Sequence, residues 1–222
     1  MRCYLVRHAQ TAWNGENRLQ GHSDPPLSPV GEAQARCLAE YFLAHHQNGT
    51  RVTAVYTSGL VRSQQTAQAI AGPLGIRPVV EPRLAEMHLG RWEGLTPEEI
   101  DAQFDGAYQQ WMRSPSGVVI PEAEPLEQFR TRVGQAFARI LATAPTGDVV
   151  IVSHGGVIAT WLSEWLNADY DRLMRRLSLD NAGISAIDRH THPPHVLWVN
   201  GVSHLIMPGE TTPAATQQPS PP

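Results

Sequence analysis

Two apolar runs, far apart in the chain, each lead into a histidine, and this repetition restricts the fold more than any other feature. The run at residues 3–6 leads into Arg7-His8, and the run at residues 149–152 leads through Ser153 into His154. Both runs are continuously apolar rather than alternating, as in parallel strands covered on both faces. Residues 52–56 form a third such run. We therefore expect a buried parallel sheet with a histidine at the carboxyl end of two strands.

Helical segments alternate with these strands. Ser28 suits the N-cap and Pro29 the first position of a helix. A second helix is predicted after Ser58, ending near Gly72, with Leu74 on its apolar face. Further helices are expected at residues 97–113 (one or two short ones), 124–144 and 156–166, and further strands at residues 77–81, 184–187 and 196–199. This order predicts an α/β protein: a three-layer αβα sandwich around a mostly parallel sheet.

Composition limits the location and the partners. The 17 basic residues are all arginine, and with 21 acidic residues the net charge is −4. This balance argues against nonspecific nucleic-acid binding, which depends on clustered cations. No apolar run approaches the ~20 residues of a membrane span, and the first strand leaves no room for a signal peptide. Cys3 and Cys37 do not have the pattern of a disulfide framework. We expect a cytoplasmic protein without a membrane contact, and a homodimer stays open.

The strand ends could hold a phosphate group. In open α/β sheets, ligands bind beyond the carboxyl ends of the strands, where Arg7, His8 and His154 are expected. Arg62, in the first turn of the second helix, would join them. A guanidinium holds phosphate oxygens and an imidazole nitrogen attacks phosphorus, so the set indicates phosphoryl transfer. Three side chains could donate the proton that the leaving oxygen needs: Glu86, His88 and Glu93.

An ordered series of short motifs resembles the histidine phosphatase superfamily, which has the phosphoglycerate mutase-like fold. The series runs from residue 3 to about residue 207. It consists of Leu5-Val6-Arg7-His8-Ala9, Asn14, Leu19-Gln20-Gly21, Asp24, Leu27-Ser28, Gly31, Tyr56-Thr57-Ser58, Arg62, Thr66-Ala67, residues 86–94 and Val152-Ser153-His154-Gly155-Gly156. The resemblance implies one domain over residues 1–208, and residues 209–222 are expected to be a disordered tail rich in Pro and Thr.

The resemblance also implies a role for each matching residue. His8 would be the nucleophile and form a phosphohistidine, and Glu86 stands at the position of the general acid and base. The phosphoryl group would be surrounded by Arg7, Arg62 and His154, and its pocket would be lined by Asn14, Gln20, Gly21 and Gly155. The substrate would be a small phosphorylated metabolite, and neither a metal nor a cofactor is expected.

The superfamily contains phosphatases and mutases, and the residues favour a phosphatase. Residues 89–120 contain only Arg91 and Arg113 as cations, whereas mutases have a longer and more basic insertion there. Gln10 also stands where the mutases usually have Glu. The phosphatases with the strongest resemblance are the metal-independent phosphoserine and α-ribazole phosphatases, although Leu89 occupies a position that is histidine in the former. The alternatives are a phosphoglycerate mutase that interconverts 2- and 3-phosphoglycerate, and a non-catalytic protein that binds a phosphorylated ligand.

The remaining motifs do not indicate a function. The chain has neither the Gly-x-Ser-x-Gly of a serine hydrolase nor the lysine of a P-loop. Asp169 and Asp171 have the spacing of an aspartyl phosphatase but follow a helix, so a solvated turn is expected. The three histidines of residues 190–195 are expected in an exposed hairpin rather than around a metal ion.

Overall fold

The computed structural model describes residues 2–49, 51–189 and 194–205. Its centre is a six-stranded mixed sheet in the order β3-β2-β4-β1-β5-β6. The first four strands of this order run parallel, and β5 and β6 pair antiparallel at one edge. The α/β class predicted from the sequence is therefore confirmed. The strands are β1 (Arg2–Arg7), β2 (Val52–Thr57), β3 (Val79–Val80), β4 (Asp148–Ser153), β5 (Ile184–Asp188) and β6 (His195–Gly201).

Helices cover both faces of the sheet. In β1, Tyr4 and Val6 belong to one buried cluster, and Cys3 and Leu5 belong to another, because successive strand residues point to opposite faces. Helices α2 and α3 contribute to the first cluster, and α6 and α7 to the second, which gives three layers. The helices are α1 (Ala12–Gly15), α2 (Pro29–Gln47), α3 (Val61–Ala71), α4 (Pro97–Gln103), α5 (Ala107–Arg113), α6 (Leu126–Thr143), α7 (Gly155–Trp165) and α8 (Tyr170–Met174).

The starts of α2 and α3 both lie where the sequence predicts them, but their N-terminal caps differ in origin. Ser28 Oγ accepts the Gly31 N–H at 3.0 Å and caps α2. Helix α3 begins three residues after Ser58, and its Val61 N–H donates to both carboxylate oxygens of Asp24, at 2.8 and 2.9 Å. The cap comes from a distant loop rather than from Ser58. The helix also ends at Ala71, so Leu74 lies beyond it, although it packs against the same core.

A third, smaller core lies beside the sandwich. Trp92, Ile100 and Ile120 are buried together, and residues of α4 and α5 pack against them. Within the described parts of the chain, every helix is too short or too polar to cross a bilayer. The predicted tail, residues 209–222, lies outside the described residues, as do Thr191 and the first two histidines of residues 190–195.

Candidate active site

The pairing of β1 with β4 brings two histidines together. Arg7 is the register partner of Ser153, so the next residue of each strand, His8 and His154, leaves the sheet at the same point. The His8 N–H donates to the Ser153 carbonyl at 2.9 Å and fixes this exit. The centres of the two imidazole rings are 5.2 Å apart. The strand register therefore produces the histidine pair that the apolar runs predicted.

His8 is held with one ring nitrogen available for chemistry. Its Nδ1 lies 2.8 Å from the Ala9 carbonyl oxygen, which can only accept, so the proton belongs on Nδ1 and the lone pair on Nε2. The side chain is 3% exposed. Burial lowers the pKa of His8 well below its ordinary value, and the charges of Arg62 and Arg7 lower it further. The imidazole therefore stays neutral, as a nucleophile must.

Two arginines flank His8. Arg62 is 1% exposed, and its guanidinium donates to the carbonyls of Ser23 and Gly21 at 2.8 Å each. Burial lowers the pKa of Arg62 to about 10, so it remains a cation at neutral pH. Arg7, at the end of β1, donates to the Leu179 carbonyl. Each guanidinium is thus fixed by backbone oxygens, and Arg62 also lies 3.6 Å from a carboxylate oxygen of Asp24.

His154 is fully buried and held by Ser58. Its Nε2 lies 2.8 Å from Ser58 Oγ, which also accepts the Leu60 N–H. This arrangement favours donation by the Ser58 hydroxyl to Nε2, which leaves the proton of His154 on Nδ1. Burial and the charge of Arg62 lower the pKa of His154 well below its ordinary value.

Three buried nitrogens of this group lack a hydrogen-bond partner among the residues that the structure describes. They are the Nε of Arg7, the Nε of Arg62 and the Nδ1 of His154. A buried donor without a partner costs about 1–3 kcal/mol, so such groups are rare in folded proteins. Six other buried polar atoms of the described residues also lack a partner. Arg7 and Arg62, however, line the same cavity as His8, and two cations beside this imidazole indicate an anion site.

Glu86 is held against the first turn of α7. Its Oε2 accepts the Gly156 N–H and its Oε1 accepts the Met87 N–H, each at 3.0 Å. A Cβ atom on Gly156 would lie 2.5 Å from Glu86 Oε1, so only glycine permits this approach. The Glu86 carbonyl accepts from Arg132 at 2.8 Å, and Arg132 also donates to the Ala85 carbonyl. Arg132 therefore fixes the backbone that carries the carboxylate.

The other two proton-donor candidates lie elsewhere. The Glu93 carboxylate accepts the backbone N–H groups of His22, Ser23 and Leu89 at 2.8–3.0 Å, together with the Ser23 hydroxyl. Burial acts to raise the pKa of Glu93, but these hydrogen bonds outweigh it and the pKa is lowered. Glu93 thus anchors a loop as a carboxylate, and His88 lies beside it with its Nε2 3.7 Å from Glu93 Oε1. Of the three candidates, only Glu86 lines the cavity.

One cavity of about 340 Å³ joins most of the predicted residues. Eight of the nine line it, and the ring of the ninth, His154, is centred 5.2 Å from that of His8. Asn14 and Gln20 are both fixed through Thr11, whose hydroxyl donates to Gln20 Oε1 at 3.1 Å. The eight are Arg7, His8, Asn14, Gln20, Gly21, Arg62, Glu86 and Gly155.

Sequence reasoning left several supporting residues without a role. Asn181 donates to the His8 carbonyl at 3.0 Å and lines the cavity. Ser58, which the sequence placed before α3, orients His154. Asp24 caps α3, and Arg132 holds the Glu86 segment. Asp24 stands in the series that carries the resemblance, but no local pattern singles out Arg132. Across the described residues, no three His, Cys, Asp or Glu side chains are grouped closely enough to hold a metal ion.

Comparison with known proteins decides the family. Residues 3–201 match the model of the histidine phosphatase superfamily, branch 1. The chain belongs to this superfamily. The probable phosphoglycerate mutase GpmB of Yersinia enterocolitica is 33% identical over 213 residues, which cover 94% of this chain and 96% of that protein.

Solved structures of the superfamily have the same fold. A mycobacterial glucosyl-3-phosphoglycerate phosphatase in complex with VO₃ superposes with a TM-score of 0.80 at 27% identity, covering 90% of this chain and 99% of the other. The phosphoserine phosphatase of Entamoeba histolytica, in complex with 3-phosphoglyceric acid, has a TM-score of 0.77 at 27% identity, covering 92% and 99%. These structural neighbours are phosphatases, and they support phosphomonoester hydrolysis over the mutase alternative.

Proposed function

We propose that the protein hydrolyses phosphate monoesters through a phosphohistidine on His8. One observation carries the proposal: a neutral imidazole, with its Nε2 lone pair available, shares a cavity with the guanidinium groups of Arg7 and Arg62. The phosphoryl oxygens of an ester would accept from these guanidinium groups. Phosphoryl transfer needs positioning and charge stabilisation above all, and this arrangement provides both.

In the first step, the lone pair of His8 Nε2 attacks phosphorus and the bond from phosphorus to the ester oxygen breaks. The departing oxygen takes a proton from the Glu86 carboxyl group and leaves as the alcohol. Arg7, Arg62 and the Nδ1–H of His154 stabilise the negative charge on the phosphoryl oxygens. The positive end of the α7 dipole, at Gly155, acts in the same direction.

In the second step, the Glu86 carboxylate takes a proton from water, and the water oxygen attacks the phosphorus of phosphohistidine. The bond between phosphorus and nitrogen breaks, inorganic phosphate leaves, and His8 returns to its neutral form. We assign Asn14, Gln20 and Gly21 to the binding of phosphate oxygens. The hydrogen bond from Thr11 to Gln20 Oε1 leaves the Gln20 amide NH₂ for this purpose.

Phosphoglycerate mutation is the second candidate, because the Yersinia relative carries that description at 33% identity. A mutase must also bind the carboxylate of phosphoglycerate. Apart from Arg7 and Arg62, the one cation among the described cavity residues is Arg18, which already pairs with Glu16 at 3.0 Å and Glu99 at 2.9 Å. The cavity therefore supports hydrolysis better than mutation.

Phosphate release from p-nitrophenyl phosphate without added metal tests the proposal. We expect turnover, and we expect an acid-labile phosphate label on the wild-type protein. His8→Ala should lower turnover roughly 10⁴- to 10⁶-fold and abolish the label, because the nucleophile is lost. His88→Ala is the control, since His88 lies outside the cavity, and it should keep the label.

Three results would contradict the proposal. Substantial turnover by His8→Ala would refute the nucleophile assignment. Exchange between 2- and 3-phosphoglycerate without phosphate release would establish the mutase. Binding of phosphate esters without turnover between pH 5 and pH 8 would indicate the non-catalytic alternative.

We also propose that residues 1–208 form one domain, which the family match over residues 3–201 supports. The free cysteines Cys3 and Cys37 support a reducing compartment such as the cytoplasm. The net charge of −4 supports a small-molecule substrate rather than a nucleic acid. A homodimer stays a prediction, which sedimentation would test.

A further inference from the structure

The cavity changes character away from His8. Besides the residues around His8, it is lined by aromatic and aliphatic side chains, among them Leu89, Tyr108, Trp111, Tyr170, Met174 and Leu177. We call these six the outer wall. Tyr108 and Trp111 lie on α5, and Tyr170 and Met174 lie on α8, so two short helices supply its aromatic rings.

The outer wall is fixed from behind. The rings of Tyr108 and Trp111 are 5.7 Å apart, and each lies within about 6.5 Å of the buried Trp92. The guanidinium of Arg130 lies over the ring of Tyr170, 5.5 Å from its centre. These contacts give the rings one defined position, as an apolar binding surface requires.

A carboxylate joins the two helices. Asp171, in α8, accepts the hydroxyls of Ser114 and Ser116 at 2.7 and 2.8 Å and the Ser116 N–H at 2.9 Å. Ser114 directly follows α5. The sequence predicted a solvated turn at Asp169 and Asp171. Instead, the Asp171 carboxylate joins α8 to the end of α5, a contact that we call the clasp, and Asp169 caps α8.

The outer wall offers no unpaired charge to a ligand. Burial raises the pKa of Tyr108 and of Tyr170 to about 12, so both hydroxyls stay neutral. Arg18 is held by two glutamates and by the Gly94 carbonyl at 2.7 Å. Asp180, also at the cavity, is an acid that accepts from Asn200 at 2.7 Å and would repel a ligand carboxylate.

We propose that the substrate is a phosphate monoester whose alcohol part is uncharged and largely apolar, with a ring or a branched hydrocarbon against the outer wall. This inference rests on the proposed function, because His8 and its arginines must take the phosphate. Apolar surface buried against the six side chains is removed from water, which favours binding. A carboxylate in the same place would lose its water without gaining a cation.

A comparison of the enzyme's activity on benzyl phosphate and on 3-phosphoglycerate tests the inference. Both esters release a primary alcohol, so the difference between them is mainly in what contacts the outer wall. We expect kcat/KM for benzyl phosphate to exceed that for 3-phosphoglycerate at least ~10-fold, largely through KM. The inorganic phosphate released from each ester, without added metal, gives both kcat/KM values.

Two variants locate the effect. Trp111→Ala should reduce the ratio of the two kcat/KM values at least ~5-fold, because one ring of the outer wall is lost. Met174→Arg should also reduce this ratio, because it adds a cation to the outer wall. It tests the inference independently if Trp111→Ala does not fold. Trp165→Ala removes an indole outside the cavity and is the matched control, for which we expect the wild-type ratio.

The outcomes separate the inference from the proposed function. Release from 3-phosphoglycerate as fast as from benzyl phosphate would overturn the inference while the hydrolase stands. A wild-type ratio in both Trp111→Ala and Met174→Arg would overturn it as well. No release from any ester, with no label on His8, would overturn the proposed function and this inference with it.

Discussion

The two ends of the cavity are built in different ways. The centre of the phosphate end consists of residues that leave a central strand or lie in the first turn of an eleven-residue helix: His8, Arg62 and Gly155. The sheet register and the backbone carbonyls fix these groups. The outer wall consists of side chains on α5 and α8, which have seven and five residues, and it depends on contacts between these short helices.

This difference indicates a division of tasks. Every phosphate monoester presents the same phosphoryl oxygens, so the rigid end suits the step common to all substrates. The alcohol part differs between esters, and it meets the outer wall. Changes at the phosphate end should therefore alter kcat alike for esters whose leaving groups are equally basic, whereas changes in the outer wall should alter the choice among such esters.

The largest effect that tests this division is expected for Glu86→Gln. The amide cannot protonate the leaving oxygen, so kcat for benzyl phosphate should fall roughly 10³-fold. The fall for p-nitrophenyl phosphate should be much smaller, because its phenolate leaves without protonation. Steady-state kinetics with the two esters measures the difference.

Glu93→Gln is the contrast for this prediction. It weakens the loop that Glu93 anchors, so both esters should be slowed by the same factor. A leaving-group dependence in Glu93→Gln but not in Glu86→Gln would transfer the acid role to Glu93.

Gly156→Ala should give the next largest effect. The new Cβ would lie 2.5 Å from Glu86 Oε1, so the carboxylate must move away. Displacement by about 1 Å can cost roughly 10²-fold in rate, and we expect a fall of that size in kcat for benzyl phosphate and 3-phosphoglycerate alike. The ratio between them should stay as in the wild type, because the outer wall is unchanged.

Gly134→Ala is the matched control. Gly134 lies within α6 and a Cβ there meets nothing within 4 Å, so activity should persist. A large change in substrate choice in Gly156→Ala would break the proposed separation between the two ends.

The same contrast explains what could be predicted from the sequence. Buried parallel strands produce long apolar runs, so β1, β2 and β4, and with them the position of His8 and His154, were predicted correctly. Helix α7 was predicted to within one residue at each end. The resemblance then assigned the remaining residues of the phosphate end, and their roles stay predictions.

The rest depends on contacts between distant segments. The α3 cap comes from Asp24, 37 residues before Val61, and the clasp joins Asp171 to Ser114, 57 residues away. Neither partner has a local pattern that reveals the other. Helix α8 is too short for periodicity to detect, so Tyr170 and Met174 were not expected at the cavity. The sequence showed the chemistry of the site better than its selectivity.

The smallest expected effect is a change in the free energy of unfolding with pH, and it differs between the two ends of the cavity. Burial and the charges of Arg62 and Arg7 lower the pKa of His8, so the folded state keeps it neutral below its ordinary pKa of about 6.5. The unfolded chain takes up this proton as the pH falls through about 6.5, and the stability contribution present above that pH is lost. From pH 7.5 to pH 5.5, His8 should lower the free energy of unfolding by about 1.4 kcal/mol. Urea unfolding in phosphate-free buffer should show that the free energy of unfolding of His8→Gln falls by that much less than that of the wild type.

Tyr108→Phe, in the outer wall, is the control and should follow the wild type, because a phenol with a pKa of about 12 does not titrate in this pH range. If His8→Gln and the wild type lose the same amount, His8 accepts the proton in the folded protein and cannot be the neutral nucleophile at acid pH.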